Sequence, residues 1–143
     1  MVPYGVCTLT ASPRKDSAHG KGQSLPHSFA CAWQGVKNAF HERNMRIHAG
    51  FAIAACVLGI ILGIDPPAWL AIMICICLVF ALEILNTALE ALVDLVSPEY
   101  HELAKRAKDC SAGAVLVCAI GSLIVAAIIF LPPLFRLASA LAS

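Results

Sequence analysis

Glu83, Asn86, Thr87, Glu90 and Asp94 set three carboxylates, an amide and a hydroxyl into the otherwise apolar run from Ala81 to Asp94. At about 100° per residue, the five fall within roughly 60° of one line along a helix. One face of a greasy helix thus carries a polar ladder. Glu83 and Glu90 lie two turns apart, about 10 Å along the axis, with Asp94 a turn further on. Ionisable groups at membrane depth are costly, so a ladder of them calls for a function. Three uses fit these groups: metal binding, proton transfer, or hydrogen bonding between helices.

A further carboxylate, Glu42, stands in His41-Glu42-Arg43-Asn44-Met45-Arg46, just ahead of another apolar run. Magnesium prefers one or two carboxylates together with phosphate oxygens and water. Glu42 and Glu90 could therefore share a divalent ion. Lys105, Arg106 and Lys108 would supply positive charge for phosphates, and Asp109 follows directly. A plainer reading makes Glu42 a surface charge and the cations a mark of membrane orientation. It leaves Glu90 unexplained, because a carboxylate set in an apolar helix is not merely solvated.

The elements that must position these groups are membrane helices. Of the 143 residues, 59% are hydrophobic and only 13% charged, outside the range of a soluble domain. At about 20 residues per span there is room for three crossings and little else. The first is uncharged from Ala49 to Ile64. With an extension back through Ile47 it is expected over 47–64, ending at Asp65-Pro66-Pro67. The second is expected over 68–96, apolar to Leu82 and then continuing as the ladder helix, with Ser97-Pro98 as its stop. The third is expected over 110–131, with Pro132-Pro133 ending it and 132–143 left as a short tail.

Basic residues orient the bundle. Arg14, Lys15, Lys21, Lys37, Arg43 and Arg46 precede the first span; Lys105, Arg106 and Lys108 lie between the second and third; only Arg136 follows the third. The N-terminus and the second loop are expected in the cytoplasm and the C-terminus outside, with the ladder near the cytoplasmic face. Over about 28–42, Phe29, Trp33, Val36 and Phe40 share one helical face, while Gln34, Lys37, Asn38 and His41 share the other. That pattern predicts an amphipathic helix lying on the membrane surface. The fold class expected is an all-α membrane protein, with this surface helix followed by three spans. Residues 1–26 are rich in Gly, Ser, Pro and Lys and are expected to be disordered. No apolar core of signal-peptide length follows the N-terminal charges, so no cleaved signal peptide is expected. The seven cysteines include no metal-type C-x-x-C pair and read as small hydrophobes.

The segment Glu83 to Asp94, followed by Pro98-Glu99-Tyr100-His101-Glu102 and Ala107-Lys108-Asp109, resembles the bacterial integral-membrane diacylglycerol kinase and undecaprenol kinase family. That family's pattern is E-x-x-N-[ST]-A-x-E-x-x-x-D, then E-Y-H and A-K-D. The similarity runs roughly from Phe29 to Leu131, which makes 27–131 the expected kinase domain. Glu42-Arg43-Asn44-Met45-Arg46-Ile47-His48 resembles the Gram-positive undecaprenol kinase branch, with Met45 in place of its usual Phe. Cys31 stands where the diacylglycerol branch has a Tyr.

The resemblance implies transfer of the ATP γ-phosphate to a lipid hydroxyl at the cytoplasmic interface of a bacterial inner membrane. The implied lipid is undecaprenol, with diacylglycerol as the alternative. It also implies a homotrimer with shared active sites and no nucleic-acid partner. Carried onto this chain, Glu83 is the base that accepts the lipid proton, and Asn86 supports the same centre. Glu42 and Glu90 hold Mg²⁺ on the nucleotide. Glu99, Tyr100, His101, Lys108 and Asp109 contact ATP, and Asp94 falls on a position important for activity. Elementary chemistry agrees, since phosphoryl transfer needs mainly positioning and charge neutralisation. The chain has no G-x-x-x-x-G-K-[ST] loop and no D-F-G, so neither common nucleotide cradle is in use. Two other classes remain at this point: a small ion- or proton-conducting protein, and a scaffold whose ladder serves as glue between helices.

Overall fold

The computed structural model describes residues 25–142. Four helices follow one another: α1 (Leu25–Ala39), α2 (Arg43–Leu62), α3 (Pro66–Val96) and α4 (Glu102–Ala142). Among the described residues there is no strand. Three helices, α2, α3 and α4, are long and apolar enough to cross a membrane. The all-helical, three-span expectation is therefore met.

The chain divides into one unit up to Asn38 and another from Ala39 onward. The first contains nearly all of α1. Its Phe29 and Trp33 are 75% and 60% exposed, so the apolar face of this helix is open. The helix starts at Leu25, ahead of the expected Ser28, because Pro26 in a first turn gives up no helical hydrogen bond. The disorder expected for 1–26 otherwise lies outside the described residues.

The second unit is the bundle, and its helix ends show which local signals decide. The first span ends at Leu62, not at the Asp-Pro-Pro motif. Gly63 takes the left-handed conformation (φ 61°, ψ 44°). The Gly63 and Ile64 N–H groups then donate to the Ile60 and Gly59 carbonyls, each at 3.2 Å. The Asp-Pro-Pro motif instead opens α3. Asp65 accepts a hydrogen bond from the Ala68 N–H (3.1 Å), and the prolines occupy first-turn positions that need no donor. As expected, α3 ends at Val96 ahead of Pro98, with the Ser97 N–H donating to the Val93 carbonyl (2.8 Å).

Helix α4 departs from expectation at both ends. It begins at Glu102, so the basic segment is not a loop but the first turns of the third span. The segment is made of good helix formers, and the His101 ring caps it. At the far end the helix runs through Pro132 and Pro133 to Ala142, where a stop and a tail were expected. Each proline removes one donor, but the helix that continues past them keeps the remaining backbone groups paired. At 41 residues, α4 is about 60 Å long, twice the thickness of a hydrocarbon core.

Within this unit, α3 packs most extensively on α4 and less on α2. Met45, Ile72, Val79, Val115 and Phe130 are buried, and the Phe40 and Phe80 rings meet edge to face, 6.0 Å between centroids. Near the turn between α2 and α3, a Cβ on Gly59 would lie 3.1 Å from the Trp69 ring, so glycine permits the close approach there. The opposite side of α3 presents Leu70, Ile74, Leu78, Leu85, Leu92 and Leu95, all exposed. Their spacings of three, four and seven residues make one apolar stripe along the helix.

Candidate active site

Helix geometry sets the depth of the ladder. Counting from Pro66 at about 1.5 Å per residue, a hydrocarbon core of about 30 Å ends near Asn86. Glu83 and Asn86 thus lie at one boundary of the apolar layer, with Glu90 and Asp94 beyond it. They face inward nonetheless. Glu83 is 2% exposed and Asn86 6%, the two buried polar residues among those described.

Two helices, α2 and α3, bring charged groups to Glu83. It lies within electrostatic reach of His48 on α2, Glu90 on α3, and Glu42 at the start of α2. Among the described residues no side chain hydrogen-bonds its carboxylate. Thr87 is tied to the helix itself, its hydroxyl donating to the Glu83 carbonyl (3.0 Å). Glu42 is the N-cap residue of α2 but makes no capping hydrogen bond with its side chain, so its carboxylate is not used structurally.

One turn along α3, the Asn86 Nδ2 donates to Glu90 Oε1 (2.9 Å). The Ser111 hydroxyl of α4 contacts the Asn86 Oδ1, joining the two helices at the ladder. Further out, Lys108 of α4 forms an ion pair with Asp94. Lys105 pairs with Asp109 on the exposed side of α4, an arrangement worth little in water.

The structure thus gathers Glu83, Asn86, Glu90 and Glu42 in one neighbourhood and joins Lys108 to Asp94. It does not bring Glu99, Tyr100 and His101 into contact with the ladder. They form the connection between α3 and α4. There the Ser97 hydroxyl donates to the Glu99 carbonyl (3.0 Å), and His101 Nδ1 accepts from the Leu103 N–H (3.2 Å). Tyr100 projects outward, 82% exposed. Two residues at the centre escaped the reading of the ladder itself: His48 and Ser111. His48 closes the Glu42–His48 motif, six residues or nearly two turns after Glu42, which was a usable signal. Ser111 carried none, because a serine early in a membrane helix has many uses.

Among the described residues no three His, Cys, Asp or Glu side chains are grouped to hold a metal by themselves. A magnesium ion shared with a nucleotide would need only one or two carboxylates, drawing its other ligands from phosphate and water. Glu42 and Glu90, both within electrostatic reach of Glu83, could supply them. Both carboxylates act on Glu83, and His48 is the one cationic-capable group among its electrostatic neighbours. Next to this polar centre, α2, α3 and α4 enclose a cleft of about 350 Å³ lined by Phe51, Leu58, Val79, Phe80 and Leu123, among others. His48 lines it too, as does Phe80, about one turn before Glu83 on α3. Cys56, Cys75, Cys77, Cys110 and Cys118 are free thiols.

A sequence model of the prokaryotic diacylglycerol kinases matches residues 30–130. The chain is 46% identical over 127 residues to a diacylglycerol kinase from Synechocystis, an alignment covering 87% of this chain and 73% of that protein. It is 44% identical over 108 residues to an undecaprenol kinase from Bacillus subtilis, covering 75% and 88% respectively. A diacylglycerol kinase from Escherichia coli is 36% identical over 94 residues, covering 65% and 77%.

Proposed function

This chain belongs to the prokaryotic diacylglycerol kinase family, a family of membrane enzymes that phosphorylate lipid alcohols, and on that premise we propose that it converts undecaprenol to undecaprenyl phosphate with ATP and Mg²⁺. The reaction takes place at the cytoplasmic face of a bacterial membrane, and the product serves as a lipid carrier in cell-wall synthesis. The observation that carries the chemical part is the buried Glu83. Among the described residues no side chain hydrogen-bonds its carboxylate, and Glu83 follows by about one turn Phe80, which lines the apolar cleft.

In this reading the lipid chain lies in the cleft and its hydroxyl reaches Glu83. The hydroxyl oxygen forms a bond to the γ-phosphorus as the bond to the β,γ-bridging oxygen breaks. The proton goes to the Glu83 carboxylate and ADP leaves. A positioned carboxylate is suited to that proton transfer. Glu42 and Glu90 would hold Mg²⁺, which supplies charge neutralisation on the phosphates when bound. Asn86 orients Glu90 through their hydrogen bond. Lys108, held by Asp94, adds positive charge beside the phosphates. Glu99, Tyr100, His101 and Asp109 contact the nucleotide from the α3–α4 connection and the start of α4. The active unit is a homotrimer. The apolar stripe of α3 supports this, since a second copy would cover it, and so does the thinness of three helices around two large substrates. Helix α1 lies on the cytoplasmic surface with Phe29 and Trp33 in the lipid.

The undecaprenol assignment rests on the Glu42–His48 motif and on the likeness to the Bacillus subtilis enzyme. The equally strong likeness to the Synechocystis diacylglycerol kinase favours a second reading, with diacylglycerol as acceptor and phosphatidic acid as product. Purified protein in mixed micelles, given labelled ATP and each lipid separately, decides between them. Faster transfer to undecaprenol is expected. Faster transfer to diacylglycerol replaces that reading with the second, and transfer to neither removes both.

A further inference from the structure

Ser111 has no place in the chemistry described so far, yet it touches the centre of the ladder. Helix α4 carries it one turn after Lys108, on the face packed against α3. Its Oγ lies within hydrogen-bond reach of two acceptors, the Asn86 Oδ1 and the Lys108 carbonyl, the latter at 3.0 Å. A hydroxyl has one proton to give. If it went to the Lys108 carbonyl, oxygen lone pairs of Ser111 and Asn86 would face one another inside the bundle, where Asn86 is almost fully buried. The Lys108 carbonyl sits inside α4, where the helix supplies it with an N–H partner. The proton therefore belongs on the bond to Asn86.

That choice has a consequence one residue away. With Oδ1 held by Ser111, the Asn86 amide turns its Nδ2 toward Glu90, the 2.9 Å hydrogen bond of the structure. The reversed amide would set Oδ1 against a Glu90 oxygen with no proton between them. The amide is thus a relay with a fixed direction, donated to from α4 and donating within α3. It occupies one oxygen of the Glu90 carboxylate and restrains the plane of the group, leaving the other oxygen outside that bond. Outer partners of this kind set the orientation of metal-holding carboxylates.

We infer that Ser111 is a positioning residue, which orients the Asn86 amide and through it the Glu90 carboxylate. The consequence for metal affinity rests on the reading of Glu90 as a magnesium ligand; the orientation of the amide does not. Ser111→Ala removes the donor while keeping the helix and the small side chain. Ser111→Thr keeps the hydroxyl and serves as the rescue.

The experiment uses the full chain in micelles with selectively ¹⁵N-labelled asparagine. The chain has three asparagines, Asn38, Asn44 and Asn86, so the side-chain amide of Asn86 is assigned by its loss in Asn86→Ala. A second readout, on the same samples, is Mn²⁺ affinity by electron paramagnetic resonance in the presence of a non-hydrolysable ATP analogue. Ser111→Ala is expected to move the Asn86 amide signal and weaken Mn²⁺ binding about tenfold, with Ser111→Thr recovering both. An unmoved amide signal in Ser111→Ala overturns the inference, whatever happens to the metal. A moved signal restored by threonine, with Mn²⁺ affinity unchanged, upholds the positioning role and removes Glu90 from the metal site. The two claims thus fail separately.

Discussion

The two halves of α3 are built for different tasks. From Pro66 to Leu82 the helix is apolar on every side, and the bundle around it leaves a cleft of about 350 Å³. From Glu83 to Val96 the same helix is tied to its surroundings by directed bonds: Asn86 to Glu90, Ser111 to Asn86, Lys108 to Asp94. Apolar attraction is non-directional, so the apolar half suits a long hydrocarbon whose exact conformation matters little. Hydrogen bonds in a buried setting are intolerant of displacement, so the polar half suits chemistry that needs fixed atoms. The boundary between them falls at Glu83, where the proposed reaction brings a lipid hydroxyl to a phosphate.

Several substitutions break or sharpen this contrast. The largest effect is expected at the boundary itself. Glu83→Gln keeps the shape of the side chain and removes its basicity, and lipid phosphorylation should fall about a hundredfold or more. Activity near wild type would take the proton-acceptor role away from Glu83. In the polar half, Glu90→Gln should raise the Mg²⁺ concentration for half-maximal rate by about tenfold or more, read from magnesium titrations at saturating lipid. An unchanged titration would leave Glu90 with a structural role only.

Smaller effects are expected from the apolar half. Ala126→Leu adds bulk inside the cleft. It should raise the KM for lipid about fivefold or more, from the lower end of the ~1–3 kcal/mol that overpacking costs, while the KM for ATP stays put. Equal changes in both would mean that the cleft does not hold the lipid. The smallest effect is expected outside both halves, at the exposed Lys105–Asp109 pair. Lys105→Ala should leave the thermal midpoint unchanged within error by differential scanning fluorimetry. A clear drop would show that the start of α4 depends on that pair.

Much of this contrast is legible in the sequence, for a reason that also sets its limit. A carboxylate in an apolar helix stands out by type and spacing, so Glu83, Asn86, Glu90 and Asp94 could be placed on one face before any fold was known. The three spans and the stop at Ser97-Pro98 follow from the same local rules. Two punctuation marks misled. Asp65-Pro66-Pro67 reads as the end of one helix and is the start of the next, because proline ends helices in their interior and begins them in the first turn. Pro132-Pro133 reads as a stop, yet α4 continues to Ala142. What no local rule could supply is the cross-helix partner. Ser111 meets Asn86 across 25 residues of chain, and nothing in the composition near either residue marks the pair. The Lys108–Asp94 pair was likewise hidden, because a basic cluster between two spans is already explained by membrane orientation.

The central claim is that Glu83 does chemistry and does not merely hold helices together. It is tested most directly by measuring two quantities on one sample of Glu83→Gln in mixed micelles: phosphate transfer from labelled ATP to the lipid, and affinity for a non-hydrolysable ATP analogue with Mg²⁺. The account predicts that transfer is lost while nucleotide affinity stays near wild type. Loss of both together would contradict it, and would make Glu83 a structural member of the ladder.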